Sequence, residues 1–279
     1  MNRKSALKIA CAATATAVLG ASAVPVRAFD LAPGAQIFTG ATNFGNFFDV
    51  VTNPDGVNAY VGNDNAFQVD DKIFHNFVFS VACLPGPCPN DDSTLNPVSP
   101  VNPNSITVAQ SQGTSGPGLD FNDFWRANPG SEIDLRLGFD VHVVDPNKAI
   151  NDVHLSFVGL EDLGQILIEE SVRDLETGIS LLPSGPLGVD NLSATTDITA
   201  QAWVDLIRPV KKLRVLKDIQ LRGVDDIDPT QGEQARFTIL TQEFSQVHTP
   251  EPGTIGGLLA MGSIGIGAML KRQRQTSNK

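Results

Sequence analysis

An all-β fold, a single β-sandwich or jelly roll, is what the central part of this 279-residue sequence predicts. Three observations lead there. Residues 133–144 alternate, with Ile133, Leu135, Leu137, Phe139, Val141 and Val143 on one face and Asp134, Arg136, Asp140 and His142 on the other, the period of a half-buried strand. Comparable apolar runs recur along the chain between clusters of Gly, Pro, Asn and Asp. Away from the two ends, no stretch keeps a 3.6-residue apolar period for three turns.

In chain order, residues 1–28 read as a signal peptide. Arg3, Lys4 and Lys8 form a cationic start, 9–19 an apolar segment of the length that the Sec export machinery engages, and Val26-Arg27-Ala28 a small-residue cleavage site ahead of Phe29. Ala21-Ser22-Ala23 is a second such site, and Cys11 falls in the discarded segment. Strands follow at 47–52, 72–82, 105–110, 133–144, 153–157, 165–172, 198–207, 213–221 and 235–244, enough for one sandwich ectodomain over residues 29–249. Residues 84–105 hold six prolines and read as a long loop, or as a linker between two smaller domains. The turn Asp145-Pro146-Asn147 predicts a hairpin in which Val141 faces Leu155 and Phe139 faces Phe157. The same register sets His142 opposite His154, a pair able to share a metal or to respond to pH, against the plainer reading of two solvated imidazoles.

Cys83 and Cys88 are the two cysteines left after export, separated by Leu-Pro-Gly-Pro. An even count at short spacing in an oxidising compartment predicts a disulfide, and Pro-Gly is turn chemistry that brings the two residues together.

The chain closes differently. Pro250, Glu251 and Pro252 precede eighteen residues without a formal charge, Gly253 to Leu270, followed by Lys271, Arg272, Arg274 and Lys279. As a helix this span is about 27 Å long, close to the roughly 30 Å hydrocarbon core of a bilayer, and the cations behind it resist translocation. Six glycines, at 253, 256, 257, 262, 265 and 267, favour a weakly held helix over a Leu-rich permanent one. In this order the tripeptide, the Gly-rich span and the basic cluster resemble the PEP-CTERM sorting signal of Gram-negative bacteria that make exopolysaccharide. The resemblance covers residues 250–274. It implies that a membrane protease, exosortase, cuts near Pro250, Glu251 and Pro252, so that 253–270 is a temporary inner-membrane anchor and the mature protein reaches the cell surface or extracellular matrix. A permanent anchor is the alternative. Residues 213–224 with 237–246 are also similar to the last two strands of secreted β-rich proteins of cyanobacteria that carry this signal, which implies kinship of fold and brings no catalytic residue.

Between the two signals stand 12 Lys and Arg against 30 Asp and Glu, a net charge of −18. Such a surface repels phosphate backbones, which argues against nucleic acid as a partner. It solubilises an exported protein, and it can attract divalent cations. Asp225, Asp226 and Asp228 crowd one turn, with Glu233 nearby, and Asn63-Asp64-Asn65 with Asp70-Asp71 crowd another; such oxygen-rich loops suit Ca²⁺, although neither matches an EF-hand and Asp and Asn favour turns for local reasons. No other cofactor is indicated.

Motifs for the common hydrolases, phosphate-cradling glycine loops and HExxH helices do not occur. Carbohydrate binding needs an aromatic platform beside polar groups. Trp125, in the irregular acidic segment 120–126, is the candidate, with a core tryptophan as the alternative. Six of the twelve basic residues lie between Arg208 and Arg222, either a grip for anionic polysaccharide or the solvated face of a strand. The leading expectation is thus a structural surface or matrix protein associated with exopolysaccharide and not an enzyme. A carbohydrate-binding module stands second and a glycan-active enzyme, using two carboxylates across a cleft, third. Sorting as read here predicts a mature chain that starts near Phe29 and ends near residues 250–253. Intact mass of the protein recovered from its host tests this, and finding residues 253–279 on the mature chain converts the span into a permanent anchor.

Overall fold

The computed structural model describes residues 31–52, 58–86, 88, 98–111, 113, 115–159, 164–183, 192–195, 199–223 and 235–249. These form strands β1 (Ile37–Phe38), β2 (Thr42–Asn43), β3 (Phe48–Thr52), β4 (Asn58–Gly62), β5 (Ala66–Val69), β6 (Lys72–Leu84), β7 (Val98–Ser99) and β8 (Thr107–Gln110). The chain continues through β9 (Gly118–Ala127), β10 (Glu132–Val143), β11 (Lys148–Gly159), β12 (Gln165–Asp174), β13 (Leu192–Thr195), β14 (Thr199–Val210), β15 (Lys212–Arg222) and β16 (Ala235–His248). A single turn of 3₁₀ helix, Phe44–Phe47, is the helical element among the described residues.

Two sheets pack face to face. Sheet I runs β1-β5-β6-β10-β15-β12-β13, and sheet II runs β14-β11-β16-β9-β8-β2 with β7 added beside β9. The pairing of β1 with β5 is parallel and the other pairings of these two sheets are antiparallel. A separate ribbon pairs β3 with β4. The inner faces follow from period 2: Leu213, Val215, Ile219 and Leu221 from sheet I and Val153, Leu155, Phe157, Leu240 and Phe244 from sheet II are buried in one cluster. Phe139 joins the layers at the middle, with ring centroids 5.7 Å from Phe74 in its own sheet and 5.9 Å from Phe121 and 6.4 Å from Phe244 across the core.

The predicted hairpin is replaced by a crossover. Asp145-Pro146-Asn147 carries the chain from β10 in sheet I to β11 in sheet II, so these two strands never pair. Val141 lies between Leu213 and Phe74, while Leu155 lies between Ala202 and Gln242. Alternation forces the two apolar faces toward one core, and packing opposite one another satisfies that as well as lying side by side. The segment read as irregular around Trp125 is strand β9, and its irregularity is a bulge where β16 shifts register between Phe237 and Ile239. A second bulge falls on β6, opposite Gly138 to Asp140 of β10. There Asn76 takes φ 51°, a left-handed conformation asparagine tolerates, and its amide donates to Asp140 at 2.8 Å.

Cys83 and Cys88 form the expected disulfide, with 4.9 Å between their Cα atoms. Cys83 is the penultimate residue of β6 and sits opposite Ile133 of β10, so the bridge clips the loop to a strand already held by its ladder. A ring this small removes little entropy from the unfolded chain. Cys83→Ser is therefore expected to lower unfolding free energy by about 2 kcal/mol and to leave the fold intact. Denaturant titration of wild type and variant measures the loss; two thiols that label quantitatively in the denatured, unreduced protein would remove the bridge altogether.

Candidate functional site

Sheet II leaves its outer face to solvent, and the same alternation that fills the core decides what stands on it. On β14 the inward residues are Ala202, Val204 and Leu206, which leaves Gln201, Trp203 and Asp205 outside. On β11 they are Val153, Leu155 and Phe157, which leaves Asp152, His154 and Ser156. Ladder pairing aligns these into rows across the sheet: Trp203, His154, Glu243 and Gly118 in one, and Gln201, Ser156, Thr241 and Asp120 in the next. Neighbouring strands in such rows lie about 4.8 Å apart, so the first row presents Trp203 and His154 to solvent and the second a line of Gln201, Ser156, Thr241 and Asp120.

Trp203 is 60% exposed and is the largest apolar group on this face. Its ring lies 5.8 Å from that of His154, with 28° between the planes. His154 is held from behind by Asp152, whose carboxylate lies 3.2 Å from its Nε2, and Asp152 accepts hydrogen bonds from the Ser245 hydroxyl and, at 3.2 Å, from the Ser245 N–H. The platform is thus an indole braced by an imidazole whose orientation is set by a fixed carboxylate. Beside it, Glu243 is buried and accepts from the Ser111 hydroxyl at 2.6 Å and the Ser115 N–H at 3.3 Å. The Thr241 hydroxyl donates to Asp120 at 2.7 Å. Burial pushes the Asp120 carboxyl above its ordinary range, opposed by the Thr241 hydrogen bond and reinforced by the Glu243 charge. Gly118 is required in the row, because a Cβ there would come within 1.9 Å of the Gln242 carbonyl oxygen. The face therefore offers one flat aromatic surface flanked by hydroxyl, amide and carboxylate groups. Asp120, Asp152 and Glu243 each accept hydrogen bonds from neighbouring groups.

A concavity of about 610 Å³ lies at the end of sheet I and is lined by Leu84, Pro85, Gly130, Ser131, Glu132, Gln165, Arg222 and Gly223. It presents no aromatic ring.

Trp125, the platform predicted from sequence, is fully buried and stacks on Phe237 at 4.9 Å with 10° between the rings. It is a core residue because the bulged β9 turns it inward. Trp203 is the exposed tryptophan, out of phase with the inward Ala202, Val204 and Leu206 of its strand. His142 and His154 are in different sheets. His142 is buried on β10 between Ile73 and Lys212, whereas His154 belongs to the platform.

The basic run 208–222 is engaged. Arg214 grips Asp140 through two hydrogen bonds of 2.7 and 2.9 Å, Arg208 pairs with Asp174, Lys212 lies 3.9 Å from Glu176, and Lys217 is inside the core. Of the oxygen-rich loops, Asn65 donates to the Asn46 carbonyl at 2.7 Å and accepts from Gln36, and Asp71 faces Lys72 and Lys148 at 3.6 and 3.4 Å, so these groups tie strands together. Asp225, Asp226 and Asp228, and the motif Pro250, Glu251 and Pro252, lie outside the described residues. Among the described residues no group of three or more His, Cys, Asp and Glu is placed to hold a metal, and no helix is long and apolar enough to cross a membrane.

No protein-family model matches the chain, and no curated protein matches it. Solved structures similar to it include the carbohydrate-binding module TmCBM61 in complex with β-1,4-galactotriose, at 10% identity and TM-score 0.30, covering 61% of this chain and 88% of that one. A carbohydrate-binding module of the β-sandwich superfamily aligns at 12% identity and TM-score 0.26 over 71% of each chain. An arabinose-bound α-L-arabinofuranosidase aligns at 15% identity and TM-score 0.25, over 51% of this chain and 22% of its own. No residue role is carried over from any of them.

The histidines make one further behaviour measurable. Burial, followed by the charges of Lys212, His75 and Lys211, lowers the His142 pKa to about 4, and burial likewise lowers that of His75 against the attraction of Asp140. Unfolded, both titrate near 6.5. The unfolded chain therefore takes up protons first, and stability falls as pH drops from about 6.5 through about 4. Urea midpoints across this window are expected to decline, and His142→Gln to flatten the decline. Equal slopes for the two proteins would mean that His142 is not the group responsible.

Proposed function

We propose that this is an exported cell-surface or matrix protein whose sandwich binds polysaccharide through the outer face of sheet II. The exposure of Trp203, braced by His154 and flanked by Gln201, Ser156, Thr241 and Asp120, is the observation that carries the reading. A sugar ring presents a face of C–H bonds edged with hydroxyls, and that pattern matches an aromatic plane set among donors and acceptors. An exposed tryptophan on a flat sheet also contributes nothing to the core, so its burial by a ligand is pure gain in apolar contact. The net charge of −18 between the two sorting signals, with the basic residues named above engaged in ion pairs, favours neutral over anionic glycans. The export signal and the PEP-CTERM-like tail support the location, since they would deliver the sandwich to an exopolysaccharide layer.

The plain structural reading, a stable acidic scaffold without a glycan ligand, is what remains if binding fails. Saturable binding to a panel of neutral and acidic polysaccharides, followed by affinity electrophoresis and by tryptophan fluorescence, separates the two. Trp203→Ala is expected to weaken binding about tenfold or more, the effect of losing roughly 1.4 kcal/mol of stacking. Trp125→Phe should retain affinity while leaving Trp203 as the reporter, with its emission shifting on saturation. Absence of saturable binding by the wild type across the panel overturns the proposal.

A further inference from the structure

Three polar side chains meet where the two sheets press together. Lys217 of β15, Glu170 of β12 and Gln242 of β16 are each fully buried. Lys217 and Glu170 are direct ladder partners in sheet I, and Gln242 reaches across from sheet II. The Lys217 ammonium nitrogen donates to Glu170 Oε2 and to Gln242 Oε1. Their neighbours on the same inward faces are Val215, Ile219, Ile168, Val172, Leu240 and Phe244, all buried. A lysine and a glutamate in such a setting cost more to desolvate than their attraction returns, and apolar residues of the same volume commonly hold a core together as well or better. A purely structural account thus leaves the choice of these three residues unexplained.

We infer that Lys217 and Gln242 react to form an isopeptide cross-link between the two sheets, with Glu170 as the proton carrier. Once the Lys217 ammonium has passed a proton to Glu170, its Nζ lone pair attacks Cδ of Gln242, which is one carbonyl bond, about 1.2 Å, beyond the oxygen it already touches. Glu170 gives its proton to the carbonyl oxygen and accepts one from the attacking nitrogen. It then passes a proton to Nε2 as the Cδ–Nε2 bond breaks, and takes back the proton on the oxygen as the carbonyl re-forms. An amine and a primary amide become a secondary amide and ammonia; Glu170 ends as it began, and no oxidant or other reactant enters. Burial acts in the direction the step uses: it lowers the pKa of Lys217 against the pull of Glu170 and raises that of Glu170 against the pull of Lys217. Both shifts move the pair toward free amine and neutral acid, the nucleophile and the general acid the step requires. The product would tie β16, the last strand before Pro250, to the middle of sheet I by a bond that reductants do not cut.

The test is mass spectrometry of the full chain recovered after export and shown to unfold cooperatively, then denatured, reduced and digested with trypsin. The expected product is a branched peptide in which Lys217 is uncut and joined to Gln242, lighter than its two parts by one ammonia. Glu170→Gln keeps both reacting groups and should reduce the branched fraction at least tenfold; Lys217→Met, which fills the same space without a charge, should abolish it while the protein still unfolds cooperatively. Complete cleavage after Lys217 with Gln242 unmodified in the folded wild type overturns the proposal. So does a cross-link from Lys217 to Glu170 with loss of water, or a branched fraction that Glu170→Gln leaves unchanged.

Discussion

Everything in this molecule depends on two sheets sharing one apolar interior, and Phe139 is where that dependence is greatest. Its ring touches Phe74 and Phe77 from its own sheet and Phe121 and Phe244 from the opposite one. Each such ring contributes roughly 1.5–3 kcal/mol by leaving water, and their edge and stacked geometries hold the sheets in one relative position. The bulge opposite Gly138 to Asp140 puts its extra residue on β6 and bends that strand around this point, while Asp140 stays anchored by Arg214 and Asn76. Once the inner faces are committed in this way, every outward residue is committed too, because side chains alternate without exception along a regular strand.

The candidate site is a product of that commitment and not of a loop. Trp203, His154 and the polar residues beside them belong to β14, β11, β16 and β9, four strands that are neighbours in sheet II but not consecutive in sequence. Rigid ladders hold the side chains in rows, so a ligand meets a surface that needs no rearrangement, which keeps the entropic cost of binding low. The His154 ring is kept beneath the indole by Asp152, and Asp152 by Ser245, so the platform is organised from the sheet upward.

The same logic places charge where composition would not. Arg208, Lys212 and Arg214 each face a carboxylate, Asp174, Glu176 and Asp140, so the basic run of β14 and β15 is partly neutralised within the fold. Lys217 goes the other way, into the core. It occupies the odd positions of β15 with Leu213, Val215, Ile219 and Leu221, and the periodicity that reads as a solvated basic strand in fact turns this lysine inward. A residue-type reading assigned it to water; its position in the period assigned it to the core.

Strand content, the sandwich class and the Cys83–Cys88 bridge were legible in the sequence because each rests on local physics: period-2 burial, turn residues and a ring closed over five positions. Which tryptophan faces water was legible in part, since Trp203 stands out of phase with Ala202, Val204 and Leu206, whereas Trp125 sits at a bulge that breaks the count. Pairing was not legible. Alternation in β10 and β11 states only that both have one apolar face; whether those faces lie side by side in one sheet or opposite each other across the core is decided by Asp145-Pro146-Asn147 and by the competing partners β6, β15, β14 and β16. The sequence by itself determined which apolar residues of the regular strands turn inward. The tertiary structure alone decided which of them meet, because hydrophobic burial is non-directional, while the contacts that make a platform of Trp203 and His154, or a reactive group of Lys217, Glu170 and Gln242, require a particular register between strands far apart in the chain.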